Sequence, residues 1–352
     1  MKKHNKVVTA VEAHETIGID VGDKLSRYAV VDEAGVVVEE GTFRNQAASI
    51  GKHFGGRARA RVALEVGAQS AWISRELKQL GHEVIVANAR ELKWITASDQ
   101  KSDRVDAEKL ARLARADRAL LAPIEHRSAE QQAQLAVIRA RDAMVRSRTL
   151  LVNTARGIAK GFGHRLPRTV TVTFGTRALT ELPAPLRPAL AGLLEQIAAL
   201  SRAIVGYEET IAALAAQHPE VERLTTVPGV GALTALTFVL TLGDAERFAH
   251  SRDVGSYLGL RPRRQQSGAR DPQLGISKCG DPYLRKLLVQ CAHHLLGRFG
   301  PDSALRQWGL AKAQGSKNAT KRAIVAVARK LGVLLHRLWA SGVVFQPFPL
   351  RG

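Results

Sequence analysis

The sequence predicts an α/β domain at the N-terminus, a long helical connector and a mainly α-helical C-terminal domain. Three observations predict it. Short apolar segments separated by Gly- and Asp-containing turns fill residues 16–87. Two long stretches with apolar residues at helical spacing follow, over 128–161 and 185–218. Helical periodicity then dominates residues 281–340. The length of 352 residues suits two or three domains.

The elements follow in order. Thr16 to Asp20 is an apolar run that ends in a carboxylate and meets Gly22, and it reads as a buried strand. Ser26 to Asp32 alternates as a second strand. Glu33-Ala34-Gly35 makes a tight turn into a third, Val36 to Phe43, so the three form an antiparallel meander. A short helix spans Gln46 to His53. A fourth strand, Arg61 to Leu64, ends at Glu65. Ser70 is positioned to cap a helix that stops at Gly81, and His82 to Ala87 is a further strand. Three antiparallel strands followed by β-α-β is the ribonuclease H-like order. Lys101 to Ala116 reads as a helix.

Ser128-Ala129-Glu130-Gln131 resembles a capping box and opens a helix to about Gly161 that carries Arg139, Arg141, Arg146, Arg148 and Arg156. Thr169 to Leu182 is expected to be irregular, and Pro185 to His218 is a second long helix. The two suggest an antiparallel hairpin or coiled-coil arm. Val227-Pro228-Gly229-Val230-Gly231 precedes an apolar helix ending near Leu242. That turn is either a helix-hairpin-helix element, whose glycine N–H groups approach a phosphate, or a plain interhelical turn. Helices are expected over 281–296, 302–313 and 320–340. The domain boundaries expected are a disordered basic tail over 1–15, the α/β domain over 16–125, the hairpin over 126–220, a C-terminal domain over 221–342 and a tail over 343–352.

Composition bounds the chemistry. Lys and Arg number 52 against 32 Asp and Glu, for a net charge of +20. Such an excess favours contact with polyanions, because cations that neutralise phosphates release counterions. Acids are scarce, so clustered ones stand out. The two cysteines, Cys279 and Cys291, form no CxxC pair and support neither a zinc site nor a disulfide scaffold. No apolar run is expected to reach the ~18 residues of a membrane span. Residues 1–13 lack the apolar core of a signal peptide, and a cytoplasmic protein with no membrane partner is expected.

Four acids form one constellation. Asp20 and Glu65 end strands that are neighbours in the ribonuclease H-like order. Asp103 and Asp106 share one face of a helix expected to cover those strand ends. Converging carboxylates repel in a low-dielectric site unless a hard cation joins them, and Mg²⁺ prefers oxygen ligands. Two ions ~3.5–4 Å apart stabilise both oxygens of a phosphoryl displacement. A second candidate is the hydroxyl of Ser267, between Arg263, Arg264 and Arg270, which could hold a scissile phosphate. A loop serine beside phosphate-binding arginines is the plainer alternative. Ser277 and Tyr257 are rival hydroxyls that spacing does not rank.

Taken together these marks resemble the IS110/IS1111 transposases, a group of DEDD recombinases. The resemblance rests on Ile17-Gly18-Ile19-Asp20, Ala63-Leu64-Glu65-Val66-Gly67 and Lys101-Ser102-Asp103-Arg104-Val105-Asp106-Ala107. It continues through Val227-Pro228-Gly229-Val230-Gly231, Tyr257-Leu258-Gly259-Leu260-Arg261-Pro262, Gln266-Ser267-Gly268 and Ile276-Ser277-Lys278 to Leu284-Arg285. It covers residues from Thr16 to about Gly342. It implies a RuvC-like N-terminal domain, a coiled-coil connection and a C-terminal transposase domain. It also implies that Asp20, Glu65, Asp103 and Asp106 bind Mg²⁺ and that Ser267 is the nucleophile, joined to DNA as a phosphoserine. The implied partners are donor and target DNA, a structured guide (bridge) RNA, and copies of the chain that pair as a homodimer and join into a tetramer. The compartment implied is a bacterial cytoplasm, with the protein on the nucleoid. Arg263, Arg264, Arg270 and Lys278 are candidate nucleic-acid contacts. Three rivals stand beside this reading: a RuvC-type Holliday-junction nuclease that uses the acids and water, an actin-like ATPase, and a non-catalytic nucleic-acid-binding protein.

Overall fold

The computed structural model describes residues 15–88, 103–267, 272 and 274–348. It divides into two compact units, residues 1–129 and 130–352. In the first unit, β1 (Thr16–Asp20), β2 (Leu25–Val31) and β3 (Val37–Arg44) form the expected meander. They are followed by α1 (Ala47–Phe54), β4 (Arg61–Glu65), α2 (Ser70–Gln79), β5 (Glu83–Ala87) and α3 (Asp103–Ala116). The five-stranded sheet has the order β3-β2-β1-β4-β5, with β4 parallel to both β1 and β5. Residues 1–14, and Lys101 and Ser102 at the expected start of α3, lie outside the described residues.

Strand alternation divides the core between the two faces of the sheet. Ile17, Ile19, Val62 and Leu64 pack with Ile50 and Phe54 of α1 and Ile73 and Leu77 of α2. Ala63, Ile85 and Ala87 pack with Leu110 and Ala114 of α3 on the other face. Gly18 also faces α3, and the approach there is backbone to backbone. A Cβ at Gly18 would stand 2.0 Å from the Ala107 carbonyl oxygen and 2.5 Å from the Ala111 nitrogen. Arg104 pairs with Glu40 of β3 at 2.9 Å, and Arg112 donates to the Gly35 carbonyl at 2.7 Å. These bonds strap α3 along the meander.

Ser70 does not cap α2 as expected. It is the first helical residue, Gln69 occupies the cap without a side-chain bond, and the Ser70 hydroxyl bonds both backbone groups of Gly67.

In the second unit, α4 (Ala129–Gly161) and α6 (Arg187–Ala216) form the antiparallel hairpin. Arg141 pairs with Glu208, while Arg148 donates to the Ser201 hydroxyl at 3.3 Å, so residues ascend one helix as they descend the other. Between them, the segment expected to be irregular contains a helix, α5 (Thr171–Thr180). Its Thr- and Val-rich start is a poor helix former, but tertiary burial outweighs propensity. Phe174 and Ala178 are fully buried against Leu190, Leu194 and Ile197. Gly175 permits this, since a Cβ there would lie 2.6 Å from the Leu194 carbonyl oxygen. Residues 184–216 are long and apolar enough to cross a membrane, contrary to the expectation that no run reaches that length. Leu190, Leu194 and Ile197 of that run are buried inside the hairpin.

The remainder is helical: α7 (Pro219–Thr225), α8 (Ala232–Leu242), α9 (Ser251–Tyr257), α10 (Pro282–Leu296), α11 (Ala304–Ala313) and α12 (Lys317–Ser341). α8 is buried on nearly every side and packs in one core with α10 and α12. α9 was not foreseen in the sequence. Its Ser251 hydroxyl lies 2.9 Å from Nδ1 of buried His336 on α12. α12 starts before the expected Thr320, because the Ser316 hydroxyl caps it by accepting the Ala319 N–H.

Gly18→Val should force α3 off β1, and Gly175→Val should part α5 from α6. Each is expected to cost roughly 1–3 kcal/mol or more, read as a lower urea midpoint with the wild-type slope.

Candidate active site

Asp20 and Glu65 occupy the positions just beyond Ile19 and Leu64, which pair in the parallel β1–β4 register. They therefore leave the sheet at one rim, on neighbouring strands. Alternation puts Asp20 on the face of Gly18 and Glu65 on the face of Ala63, and α3 covers that face. The helix runs opposite to the two strands. Arg61, at the start of β4, donates to the Ala114 carbonyl near the helix C-terminus at 3.3 Å, so the helix N-terminus lies over the strand ends. Asp103 and Asp106 stand in that first turn. Asp103 is exposed and Asp106 half-buried.

Asp106 Oδ1 is buried and has no hydrogen-bond partner among the described residues. An unpaired buried carboxylate oxygen is costly, and a bound cation is one way to offset it. Lys109 Nζ, one turn along α3, is likewise buried without a hydrogen-bond partner among the described residues, and the sequence reading did not single it out. The donors at the rim are all carboxylate oxygens, the set that hard divalent cations take. Among the described residues, no group of three or more His, Cys, Asp or Glu is closed around a point that would hold a metal ion. The rim thus brings the four acids to one end of one face without gathering them into a finished ligand cage.

The loops carrying the strand-end acids are tied down by residues to which the sequence reading gave no such role. Gln69 donates to the carbonyls of Gly22 and Asp23, at 3.2 and 2.5 Å, and Asn45 donates to Gly22 at 2.9 Å. This links the segment after Asp20 to the segment after Glu65. The Val66 N–H donates to Ala87 at 2.9 Å, and Ser70 braces Gly67. His126 Nε2 sits 3.0 Å from the Ser70 hydroxyl. Burial, and then Arg75, Lys78 and Arg127, push the His126 pKa below its ordinary value, which favours the neutral ring there. No short-range sequence signal marks Gln69 and Asn45 for this, because each acts on a backbone distant in the chain.

Ser267 belongs to the second unit. Its loop rises from a short ribbon in which the Arg263 N–H donates to Gly275 and the Ser277 N–H to Arg261, both at 2.9 Å. The base of the ribbon is a backbone crossing. A Cβ on Gly259 would lie 2.1 Å from the Cys279 carbonyl oxygen, and one on Gly280 would lie 2.1 Å from the Tyr257 carbonyl oxygen. Arg285 clamps the crossing by donating to the carbonyls of Leu258 and Cys279, at 3.0 and 2.7 Å. Ser267 is exposed, and its hydroxyl has no hydrogen-bond partner among the described residues. Both rival hydroxyls are engaged: that of Tyr257 donates to Thr241 at 3.3 Å and that of Ser277 accepts the Cys279 N–H at 3.5 Å. Arg263, Arg264 and Lys278 are exposed, with Lys278 at φ 56° in the crossing. Gly268 and Arg270 lie outside the described residues.

Comparison with known proteins gives this arrangement a lineage. A transposase model, DEDD_Tnp_IS110, matches residues 17–163, which include the strand-end acids and α3. The model described as Transposase IS116/IS110/IS902 family matches residues 221–307, which include the serine loop. The transposase for insertion sequence element IS1328 of Yersinia enterocolitica is 32% identical over 289 residues, covering 81% of this chain and 85% of its own. The transposase for insertion sequence element IS1111A of Coxiella burnetii is 30% identical over 334 residues, covering 92% and 88%. A probable family 20 transposase of Pseudomonas aeruginosa is 32% identical over 293 residues, covering 81% and 86%. Similarity of this extent, across both units, means that the chain belongs to the IS110 family of insertion-sequence transposases.

Proposed function

We propose that this transposase cuts and rejoins DNA strands with a carboxylate site formed by Asp20, Glu65, Asp103 and Asp106 and with Ser267 as nucleophile. The observation that carries the reading is the contact of Gly18 with α3, since it sets the first turn of that helix over the ends of β1 and β4. Magnesium fits the donor set, because the four groups are hard oxygen donors and Asp106 Oδ1 is buried without a partner among the described residues. Bound Mg²⁺ would neutralise the acids and supply positive charge to the phosphate and its entering and leaving oxygens.

The protein's own groups then act as follows. The Ser267 oxygen attacks a backbone phosphorus and gives up its proton. The phosphorus–oxygen bond to one side of the cut breaks, and that oxygen leaves as a hydroxyl. Arg263 and Arg264, with Arg270 and Lys278 nearby in sequence, hold the phosphate and offset charge on its outer oxygens. A hydroxyl from the exchanging strand attacks the phosphoserine, re-forms a phosphodiester and releases serine, with no net hydrolysis. The exposed hydroxyl of Ser267, without a partner among the described residues, suits this role better than the engaged hydroxyls of Tyr257 and Ser277.

The resemblance extends the reading to partners. A structured guide RNA would select donor and target by base pairing, since contacts to phosphates carry little sequence information. A homodimer that joins into a tetramer would bring the acids of one subunit to the serine of another. The setting would be the bacterial nucleoid.

Incubation of the protein with RNA from the element's flank, labelled donor DNA and Mg²⁺ should yield a protein–DNA adduct stable to denaturant. Ser267→Ala should abolish it. Cleavage that survives Ser267→Ala without any adduct would instead establish a hydrolytic junction nuclease. Separately, millimolar Mg²⁺ should raise the melting temperature of the wild type by ligand linkage. Asp106→Asn should lose most of that rise and the adduct together.

A further inference from the structure

Helix α3 carries four basic residues, and three of them are engaged. Arg104 pairs with Glu40 at 2.9 Å. Arg112 pairs with Glu108 at 2.8 Å and donates to the Gly35 carbonyl at 2.7 Å. Arg115 donates to the Asp32 carbonyl at 3.0 Å. Lys109 differs. Its ammonium nitrogen is buried, and neither a hydrogen bond nor an ion pair joins it to anything among the described residues. A buried charge without an acceptor is costly, and an apolar side chain of similar length would avoid that cost. The packing of α3 therefore does not account for the charge.

The charge stands beside the acid rim. Asp106 lies three residues before Lys109, and residues three apart are neighbours on a helix surface. Long side chains on a helix lean back toward its N-terminus, so the Lys109 stem covers the turn that holds Asp103 and Asp106. Asp106 Oδ1 is the other buried orphan on α3, and the two groups do not bond to each other. A lone ammonium calls for an anion and a lone carboxylate oxygen for a cation. A phosphodiester accompanied by a divalent ion supplies both. The charge count agrees. The charge of Asp20, Glu65, Asp103 and Asp106 would be offset in full by two divalent cations. A phosphodiester then adds one negative charge, and Lys109 adds one positive charge.

We propose that Lys109 holds the DNA phosphate at the acid rim, its ammonium donating to a non-bridging oxygen of the phosphodiester to be cut. This rests on the reading of the four acids as the cutting site, and it gives that site a cation of the chain's own. The ammonium keeps its protons and forms no bond to phosphorus. It offsets charge on the outer oxygens while the bond to the leaving oxygen breaks. The DNA strand supplies the acceptor that the fold withholds. Contact with a phosphate carries no base information, so Lys109 serves every sequence alike.

The test compares Lys109→Met and Lys109→Arg with the wild type, all as full chains. Two readouts are taken: melting temperature over a Mg²⁺ series, and the rate of donor DNA cleavage with the flank RNA and Mg²⁺. Met keeps the stem and removes the charge. In saturating Mg²⁺, Lys109→Met should melt at or above the wild-type temperature, since a buried unpaired charge is gone. Its Mg²⁺-linked rise should exceed that of the wild type, because the acids lose a competing cation and the metal a repelling one. Cleavage should slow about 100-fold. Lys109→Arg keeps the charge and should recover part of that loss. Cleavage at the wild-type rate in Lys109→Met overturns the proposal. So does a lower melting temperature in Mg²⁺, which would give the ammonium a partner inside the fold. An unchanged Mg²⁺-linked rise does so too, by placing the ammonium away from the acids. Equal losses in the two variants would make shape the cause and charge irrelevant, again overturning it. A wild type that does not cleave, or that shows no Mg²⁺-linked rise, would instead sink the reading of the acids as the cutting site.

Discussion

A helix lying on a strand with no side chain between them sets the geometry of the N-terminal unit. Side chains normally hold a helix well clear of the sheet it covers. At Gly18 the α3 backbone comes down to the β1 backbone, near enough that a single Cβ would overlap the Ala107 carbonyl. That contact fixes height and register at once, two residues before Asp20. Everything at the rim follows from it. The parallel β1–β4 pairing brings Glu65 alongside, and the opposite run of α3 brings its acidic first turn over both. The bonds from Gln69, Asn45 and Ser70 then hold the loops that leave the rim.

The second unit uses the same device twice more. Gly175 lets α5 settle on α6, and the crossing at Gly259 and Gly280 fixes the root of the Ser267 loop. In each place a missing side chain removes a degree of freedom that a larger residue would leave loose. For the proposed role of Ser267 rigid roots would matter, because misplacement of reacting groups by about 1 Å can cost on the order of 10²-fold in rate. Ser267 stands exposed beyond that root. An exposed hydroxyl is a weak nucleophile by itself. In the proposed reaction its activation would come from charge brought to it.

Charge organises the partners. The chain carries a +20 excess, yet its rim collects acids. A basic chain whose proposed cutting site repelled phosphate would gain nothing from the excess unless cations intervened. On the proposed reading the two halves of the electrostatic design are complementary: basic surfaces would retain the polyanion, and the rim would take a metal. The helical hairpin shows the basic half plainly, with Arg141 and Arg148 turned to the partner helix while Arg139 and Arg146 remain largely exposed.

The strand order, the meander and the acids at the strand ends were legible in the sequence, because alternation and turn residues are local signals. The two long helices were legible for the same reason. α5 was not: its Thr- and Val-rich start disfavours a helix, and only burial of Phe174 and Ala178 offsets that. The supports of the rim were legible only in part: Ser70 was read as a helix cap and not as the brace of Gly67, and Gln69, Asn45 and His126 look like ordinary surface residues until the chain has folded. By itself the sequence determined which chemical groups are available and on which elements they ride. The tertiary structure alone decided how closely those elements approach, because that distance depends on whether a side chain stands between two backbones brought together from far apart in the chain.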